Sequence, residues 1–320
     1  MARHGVEVDG VVIVPAFGDA GRITVRSVHY MGTKDAGYQP VGETEFARDA
    51  TFGYASSDLR DWVEEKSAGA IAASDVAAIG LADLRSNPDA VRATLMGLAD
   101  RRPVVVDIVE ESDLRALALA LLDAERAGKR FVFRVGPPFV RAMIGQAEHA
   151  PLTAVDVADI RPEESTHGGL IVVGSHVGLT TRQLDALRAR RQPTEFEIDV
   201  ATVLTDDGPA HLAGLVDDVS EALTRGNVVV RTSRTLVKGA DGDDSLRIAR
   251  AVSDAVVHVV RTVLDRTPPR FVIAKGGITS SDVASRGLEI GRAVVRGPML
   301  PGIVSLWEPI TGPARGIPYI

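Results

Sequence analysis

Three short stretches in the second half of the chain combine small hydroxyl side chains with glycine in the manner of phosphate-binding loops. They are Gly174-Ser175-His176, Thr232-Ser233-Arg234-Thr235 and Lys275-Gly276-Gly277-Ile278-Thr279-Ser280-Ser281-Asp282. The third is the sharpest. A glycine pair lets the backbone turn tightly and approach a ligand with no side chain in between. Thr279 and Asp282 have capping-box spacing, which predicts a helix start whose free N–H groups and dipole attract an anion. Lys275 adds a cation. Each loop also has a plain reading: a strand-to-helix turn for the glycine pair, a helix cap for Ser175, a surface ion pair for Arg234. Three such loops on successive strand ends favour a phosphate chain. Neither G-x-x-x-x-G-K-[ST] nor G-x-G-x-x-G after a strand occurs, which argues against a P-loop ATPase and a typical dinucleotide dehydrogenase.

The first half offers fewer reactive groups. Asp107 closes the run Val104-Val105-Val106 and can face a substrate there, while Glu111 and Asp113 sit where acids stabilise a helix start. Arg134 follows Phe131-Val132-Phe133, placed either to clamp a carboxylate in bidentate fashion or to pair with Asp107. The seven histidines form no H-x-x-x-H or H-E-x-x-H pair, so no metal site is expected. His176 beside Ser175 lacks a nucleophile elbow and an acid partner. Asp241-Gly242-Asp243-Asp244 lacks the alternation and distal glutamate of a calcium loop and reads as a solvated turn. The absence of cysteine excludes disulfides, thiolate zinc sites and a cysteine nucleophile. A net charge of -7 opposes a nucleic-acid backbone. No run approaches the ~18 apolar residues of a membrane span. The opening residues do not resemble a signal peptide, so the expected location is the cytoplasm.

These residues need a scaffold, and the apolar pattern supplies one. Val11-Val12-Ile13-Val14 reads as a strand, and Val104 to Val106, Phe131 to Phe133, Leu170 to Val173, Val228 to Val230 and Phe271 to Ala274 lack in/out alternation. That predicts strands buried on both faces, as in a parallel sheet. Helical spacing fills Leu114 to Ala127, Thr181 to Arg190, Leu212 to Leu223 and Leu246 to Leu264. Alternating strands and helices predict an α/β fold of two domains, each a mostly parallel sheet flanked by helices, with a ligand cleft between them. Residues 22–31 read as a hairpin, followed by a long exposed loop over 32–57. The polar stretch 160–169, with Pro162 and two closing glycines, sets the boundary near residue 165, giving domains 1–162 and 168–320. No internal repeat is visible in the sequence.

Several of these stretches together resemble the four-carbon acid sugar kinases. Pro15-Ala16-Phe17, Gly21-Arg22, Glu43 to Asp49 (ETEFARD) and Phe131 to Gly145 resemble the family's substrate domain. Gly174-Ser175-His176 with Thr180 to Gln183, Thr232 to Thr235 and the KGGITSSD stretch resemble its nucleotide domain, as do Pro301-Gly302-Ile303 and Gly316 to Tyr319. The resemblance implies ATP and Mg²⁺ as cofactors and transfer of the γ-phosphate to a hydroxyl of a tetronate or 3-oxo-tetronate. It implies ATP contacts at Ser175, Gly276, Gly277, Ile278, Thr279 and Ser280, and leaves Arg134 as the candidate for the acid's carboxylate. The family's Asp-Asp-Leu-Thr-Gly-Ala motif, its Asp-Ser-Thr and Arg-Gly motif and its last glycine-asparagine loop are not found in these 320 residues, so the resemblance implies a shortened chain and assigns no catalytic base. The expected partners are a small sugar acid and a second copy of the chain, with no nucleic acid and no membrane. A binding protein without turnover and an NAD-using domain are the other readings.

Overall fold

The uninterrupted apolar runs form parallel strands covered on both faces. The computed structural model describes residues 5, 7–48, 53–160, 166–174, 178–234, 237, 239–300 and 304–320, and the chain divides into two units, Met1–His149 and Ala150–Ile320. In the first unit β1 (Gly10–Val14) is followed by β2 (Arg22–Val25), β3 (Val28–Thr33) and β4 (Gly37–Pro40), then α1 (Leu59–Lys66) and β5 (Ala77–Ile79). Next come α2 (Leu81–Ser86), α3 (Pro88–Met96), β6 (Arg102–Val106), α4 (Glu111–Arg126), β7 (Phe131–Val135) and α5 (Pro137–Met143). The main sheet runs β5-β6-β1-β7, all parallel. Side chains alternate between its faces. Val12, Val14, Val104 and Val106 pack with Leu84, Leu95, Leu117 and Phe139 on the α2–α5 side. Ile13 and Val105 pack with Leu59 and Val63 of α1 on the other. Both faces are apolar, which is why the sequence shows no alternation.

The stretch after β1 differs from the expected hairpin with a long exposed loop. β2, β3 and β4 form a three-stranded antiparallel sheet, and the 3-10 turns over residues 41–43 and 45–48 bury Val41, Thr44 and Ala47. The β2–β3 turn places Arg26 and Ser27 at φ 51° and 64°, an unfavourable region for non-glycine residues. The buried Asp107 carboxylate holds that turn, accepting from the Arg26 N–H at 2.7 Å and the Ser27 N–H at 2.8 Å.

The second unit contains α6 (Ala154–Ala158), β8 (Leu170–Val173), α7 (Gly178–Arg191), β9 (Thr194–Ile198), α8 (Val200–Val203) and α9 (Gly208–Leu223). After these come β10 (Val228–Thr232), α10 (Gly242–Arg266), β11 (Val272–Lys275), α11 (Gly277–Asp282), a π-helical turn over Val283–Gly287, β12 (Ala293–Pro298) and β13 (Ser305–Pro309). β11-β8-β10-β9 is parallel throughout. Leu170, Val172, Val228, Val230 and Val272 bury against α9 and α10; Val256, Val259, Val260 and Val263 of α10 fall within the segment of helical spacing expected over Leu246 to Leu264. Val173 and Val229 face Leu184 of α7. Tyr319 bridges β11 at Val272 in parallel and β13 at Trp307 in antiparallel fashion, so residues 317–320 extend the sheet toward the β12–β13 hairpin.

The division between His149 and Ala150 falls ahead of the polar stretch that the sequence singles out. Residues 150–160 go with the second unit because the Leu152 N–H donates to the Pro298 carbonyl at 2.8 Å and Ile160 is buried; residues 161–165 lie outside the described residues. Taken separately, the two sheets share one plan. Numbering the four parallel strands in chain order, each reads second-third-first-fourth, with the helix after the first strand alone on one face and the later helices on the other. No sequence repeat announces this.

Candidate functional site

In an open parallel sheet a ligand sits beyond the carboxyl ends of the strands, where neighbouring connections leave for opposite faces. In the second unit that place is the end of β8. α7 departs toward one face from there, while α10 and α11, which follow the neighbours β10 and β11, lie on the other.

The β8 and β11 ends meet closely. Gly174 donates its N–H to the Lys275 carbonyl at 3.2 Å, and a Cβ on Gly174 would stand 2.1 Å from Thr279 Oγ1. Gly276 adopts φ 123° and ψ 137°, a conformation open to glycine and costly for other residues. α11 starts at once on Gly277, where a Cβ would meet nothing within 4 Å. A helix start leaves its first N–H groups without intrahelical acceptors. Those of Gly277, Ile278 and Thr279 therefore border open space, and Ile278 itself is 75% exposed. Ser280 fixes the turn from beneath: its N–H donates to the Gly276 carbonyl at 2.7 Å and its hydroxyl to the Ala274 carbonyl at 2.9 Å. Its own carbonyl accepts from the Tyr319 hydroxyl at 2.6 Å. Burial pushes the Tyr319 phenol up to about 12, so this donor stays protonated. Beyond Asp282 the helix widens into the π turn, a device frequent at functional sites.

The N-cap of α11 is Gly276, three residues ahead of Thr279, the cap of the expected capping box. Thr279 lies inside the helix, and Asp282 accepts from Ser253 of α10 instead of capping anything; the glycine conformation, not the Thr–Asp pair, decides the start. Ser175 and His176 lie outside the described residues. The β10 loop is committed elsewhere. Ser233 Oγ accepts from the Val200 N–H at 3.0 Å, and Arg234 donates to Thr181 of α7. Burial pulls the Arg234 guanidinium below its usual range, helped by Arg231 and Arg188. Thr232 Oγ1 is buried without a partner. Asp241 is the N-cap of α10, accepting from the Asp244 N–H at 2.8 Å, so the acidic stretch there is a helix cap and not a free turn.

In the first unit the corresponding strand ends enclose a cavity of about 50 Å³ lined by Ala16, Asp19, Arg22, Glu110, Arg141 and Glu148, among others. Arg141 sits among carboxylates, 2.7 Å from Glu111, 3.3 Å from Glu148 and 3.6 Å from Asp19. Asp113 forms the expected helix-start contacts, accepting from the Glu110 N–H at 2.9 Å and from Arg85 at 2.7 and 2.9 Å. The buried Asp107 carboxylate is bound to the β2–β3 turn. Arg134 lies within β7, in register with Ile13, its guanidinium 4.8 Å from the Trp62 ring of α1. That is the α1 face of the sheet, and the pairing with Asp107, one of the two readings of Arg134, is not made. His29 of β3 is buried, with Nδ1 3.0 Å from Thr24 Oγ1 and Nε2 unpartnered. Burial, then the charge of Arg22, lowers its pKa to about 4.

Among the described residues no group of three or more His, Cys, Asp or Glu forms a metal cage, and no helix is long and apolar enough to cross a membrane. Sequence reasoning placed Tyr319 only within the stretch that resembles the nucleotide domain and missed its hydroxyl contact to Ser280.

Comparison with known proteins agrees with this division. Residues 1–143 match the family profile of a sugar-binding N-terminal domain, and residues 170–320 that of a nucleotide-binding C-terminal domain. A D-threonate kinase of Salmonella typhimurium is 27% identical over 224 residues, 70% of this chain and 47% of that protein. The chain thus spans about half the length of this curated relative. A solved Salmonella typhimurium LT2 structure, provisionally described as a tRNA synthase, superposes over 100% of this chain and 70% of its own with a TM-score of 0.62 at 17% identity. A Haemophilus influenzae protein covers 97% of this chain and 69% of its own, with a TM-score of 0.52 at 18% identity. Both likenesses concern the fold alone.

Proposed function

The chain belongs to the four-carbon acid sugar kinase family, and from that premise we propose that it acts in ATP-dependent phosphorylation of a hydroxyl on a tetronate or 3-oxo-tetronate. The observation that carries the nucleotide half is the β8–β11 junction. There the Gly174–Thr279 contact and the locked Ser280 hold three helix-start N–H groups against open space. Such an arrangement suits the oxygens of a phosphate chain. Fixed donors of this kind stabilise charge without reorganising as phosphoryl transfer proceeds. Gly276 and Gly277 admit the phosphates, Ile278 and Thr279 contribute N–H donors, and Ser280 acts through the backbone it anchors. Mg²⁺ bound to phosphate oxygens needs one or two carboxylates, not a cage; no described residue is assigned to it. The sugar-binding unit supplies the acceptor side.

The test is a titration of the purified chain with ATP and Mg²⁺ in the presence and absence of D-threonate, with ADP and phosphorylated acid followed by mass spectrometry. Acid-dependent ADP formation supports the kinase reading for this chain. Binding of both ligands without ADP identifies a binding protein instead, and absence of ATP binding refutes the reading.

A further inference from the structure

Resting on the reading of the first unit as the sugar-acid side, we propose that Arg22, and not Arg134, holds the carboxylate of the substrate. Arg22 lines the cavity at the carboxyl ends of the first unit's strands, where a ligand of such a sheet belongs. β1 is the first strand there, and its neighbours' following helices lie on the face opposite α1.

The other charged groups around that cavity have partners of their own, with carboxylates outnumbering Arg141. Arg141 serves Asp19, Glu111 and Glu148, while Glu110 takes part in the capping box at the start of α4. Arg22 forms no ion pair among the described residues. Its one ring contact is Phe46, whose centroid is 5.4 Å from the guanidinium carbon. A half-buried guanidinium without a counter-charge is costly, and a planar fork matches a carboxylate. Its field reaches two neighbours: burial and then Arg22 lower the pKa of His29, while burial raises that of Tyr54 with Arg22 opposing.

The position is built, not incidental. Phe17 and Arg22 exchange backbone hydrogen bonds of 2.8 and 2.9 Å, closing a tight loop. Gly21 adopts φ 69°, and a Cβ there would stand 2.1 Å from the Gly32 carbonyl oxygen, so the residue before Arg22 must be glycine. Phe46 comes from a separate stretch of the sequence, so two distant segments converge on one side chain. A volume of about 50 Å³ exceeds the ~10–15 Å³ that one water needs. It admits the carboxylate head of a small acid and leaves the hydroxylated carbons outside.

Calorimetry on the intact chain separates this inference from the functional reading beneath it. The titrants are D-threonate, threitol as its uncharged counterpart, and ATP. Arg22→Gln should weaken D-threonate about 10- to 100-fold, the loss expected for a bidentate charged contact. Threitol and ATP should be unaffected, Arg22→Lys should recover part of the loss, and Arg134→Gln should bind like the parent. Unchanged D-threonate affinity in Arg22→Gln, or a comparable loss in Arg134→Gln, overturns the proposal and leaves the family function standing. A parent chain that binds ATP but no four-carbon acid removes the sugar-acid reading and the proposal with it. Should Arg22→Gln not fold, the side-chain Nε–H signal of Arg22 in the parent decides the matter by NMR. It should shift with D-threonate and not with threitol, and a signal blind to both refutes the assignment.

Discussion

Replacing Gly277 by valine separates ligand contact from fold at one position. An ideal Cβ there meets no protein atom within 4 Å, and the residue is the first of α11, with no left-handed φ to forbid a side chain. Valine is a better helix former than glycine by a few tenths of a kcal/mol. The melting temperature should accordingly stay within about 1–2 °C of the parent. What the isopropyl group does fill is the space in front of the first helix N–H groups. Each charge-assisted hydrogen bond lost to a phosphate removes about 1.5–3 kcal/mol, or roughly 10- to 150-fold in affinity. One blocked contact thus predicts at least a tenfold weaker ATP, and two predict more. Calorimetric titration with ATP and Mg²⁺, paired with a thermal melt, reads both quantities. An affinity within about twofold of the parent, on a folded protein, would show that the phosphates do not pass over this helix start and would refute the placement of the nucleotide.

Gly174→Ala makes the opposite demand, because its methyl group would stand 2.1 Å from Thr279 Oγ1. Overpacking of that kind costs about 1–3 kcal/mol; melting should fall together with ATP affinity, and adding Thr279→Ala should restore part of both. Tyr319→Phe keeps the ring beside Trp307 but removes the donor to Ser280, at about 1 kcal/mol. ATP affinity should drop several-fold, and in the parent this contact should be insensitive to pH up to about 10, since burial holds the phenol near 12. His29 has its pKa depressed to about 4 in the folded chain against 6.5 in the unfolded one, so the unfolded state binds the proton more readily. Its contribution is complete above pH 6.5 and is lost as pH falls toward 4, about 3 kcal/mol in all. Urea unfolding between pH 7 and 4.5 should show a steeper decline in the parent than in His29→Gln; equal slopes would exclude His29 as the source.

The main strands were legible because both faces of each sheet are covered, which turns Leu170–Val173 or Val228–Val230 into unbroken apolar runs. β9 was not. It is an edge strand whose Glu195 and Glu197 pair with Arg188 and Arg231, so it carries charge where the template expects valine. β5 spans three residues, too few for a pattern. At the nucleotide loop the glycine pair is readable, but the cap lies three residues earlier than the Thr279–Asp282 spacing suggests, because the backbone angles of Gly276 decide it. Arg134 against Arg22 is the harder lesson. Both follow or begin apolar strands, and only the tertiary arrangement shows that one guanidinium lies over Trp62 and the other lines the strand-end cavity.

The two sheets of identical strand order also place two helix starts in equivalent positions, each after the fourth strand and each preceded by a glycine. After β11 the sequence is Gly276-Gly277-Ile278; after β7 it is Gly136-Pro137-Pro138. Proline has no amide hydrogen, so α5 opens with two ring-blocked positions where α11 opens with two donors. The scaffold is the same, yet one end can cradle a phosphate and the other has been made unable to. On the proposed reading, the donor count of these two consecutive residues, more than the architecture, suits the second unit and not the first to a phosphate chain.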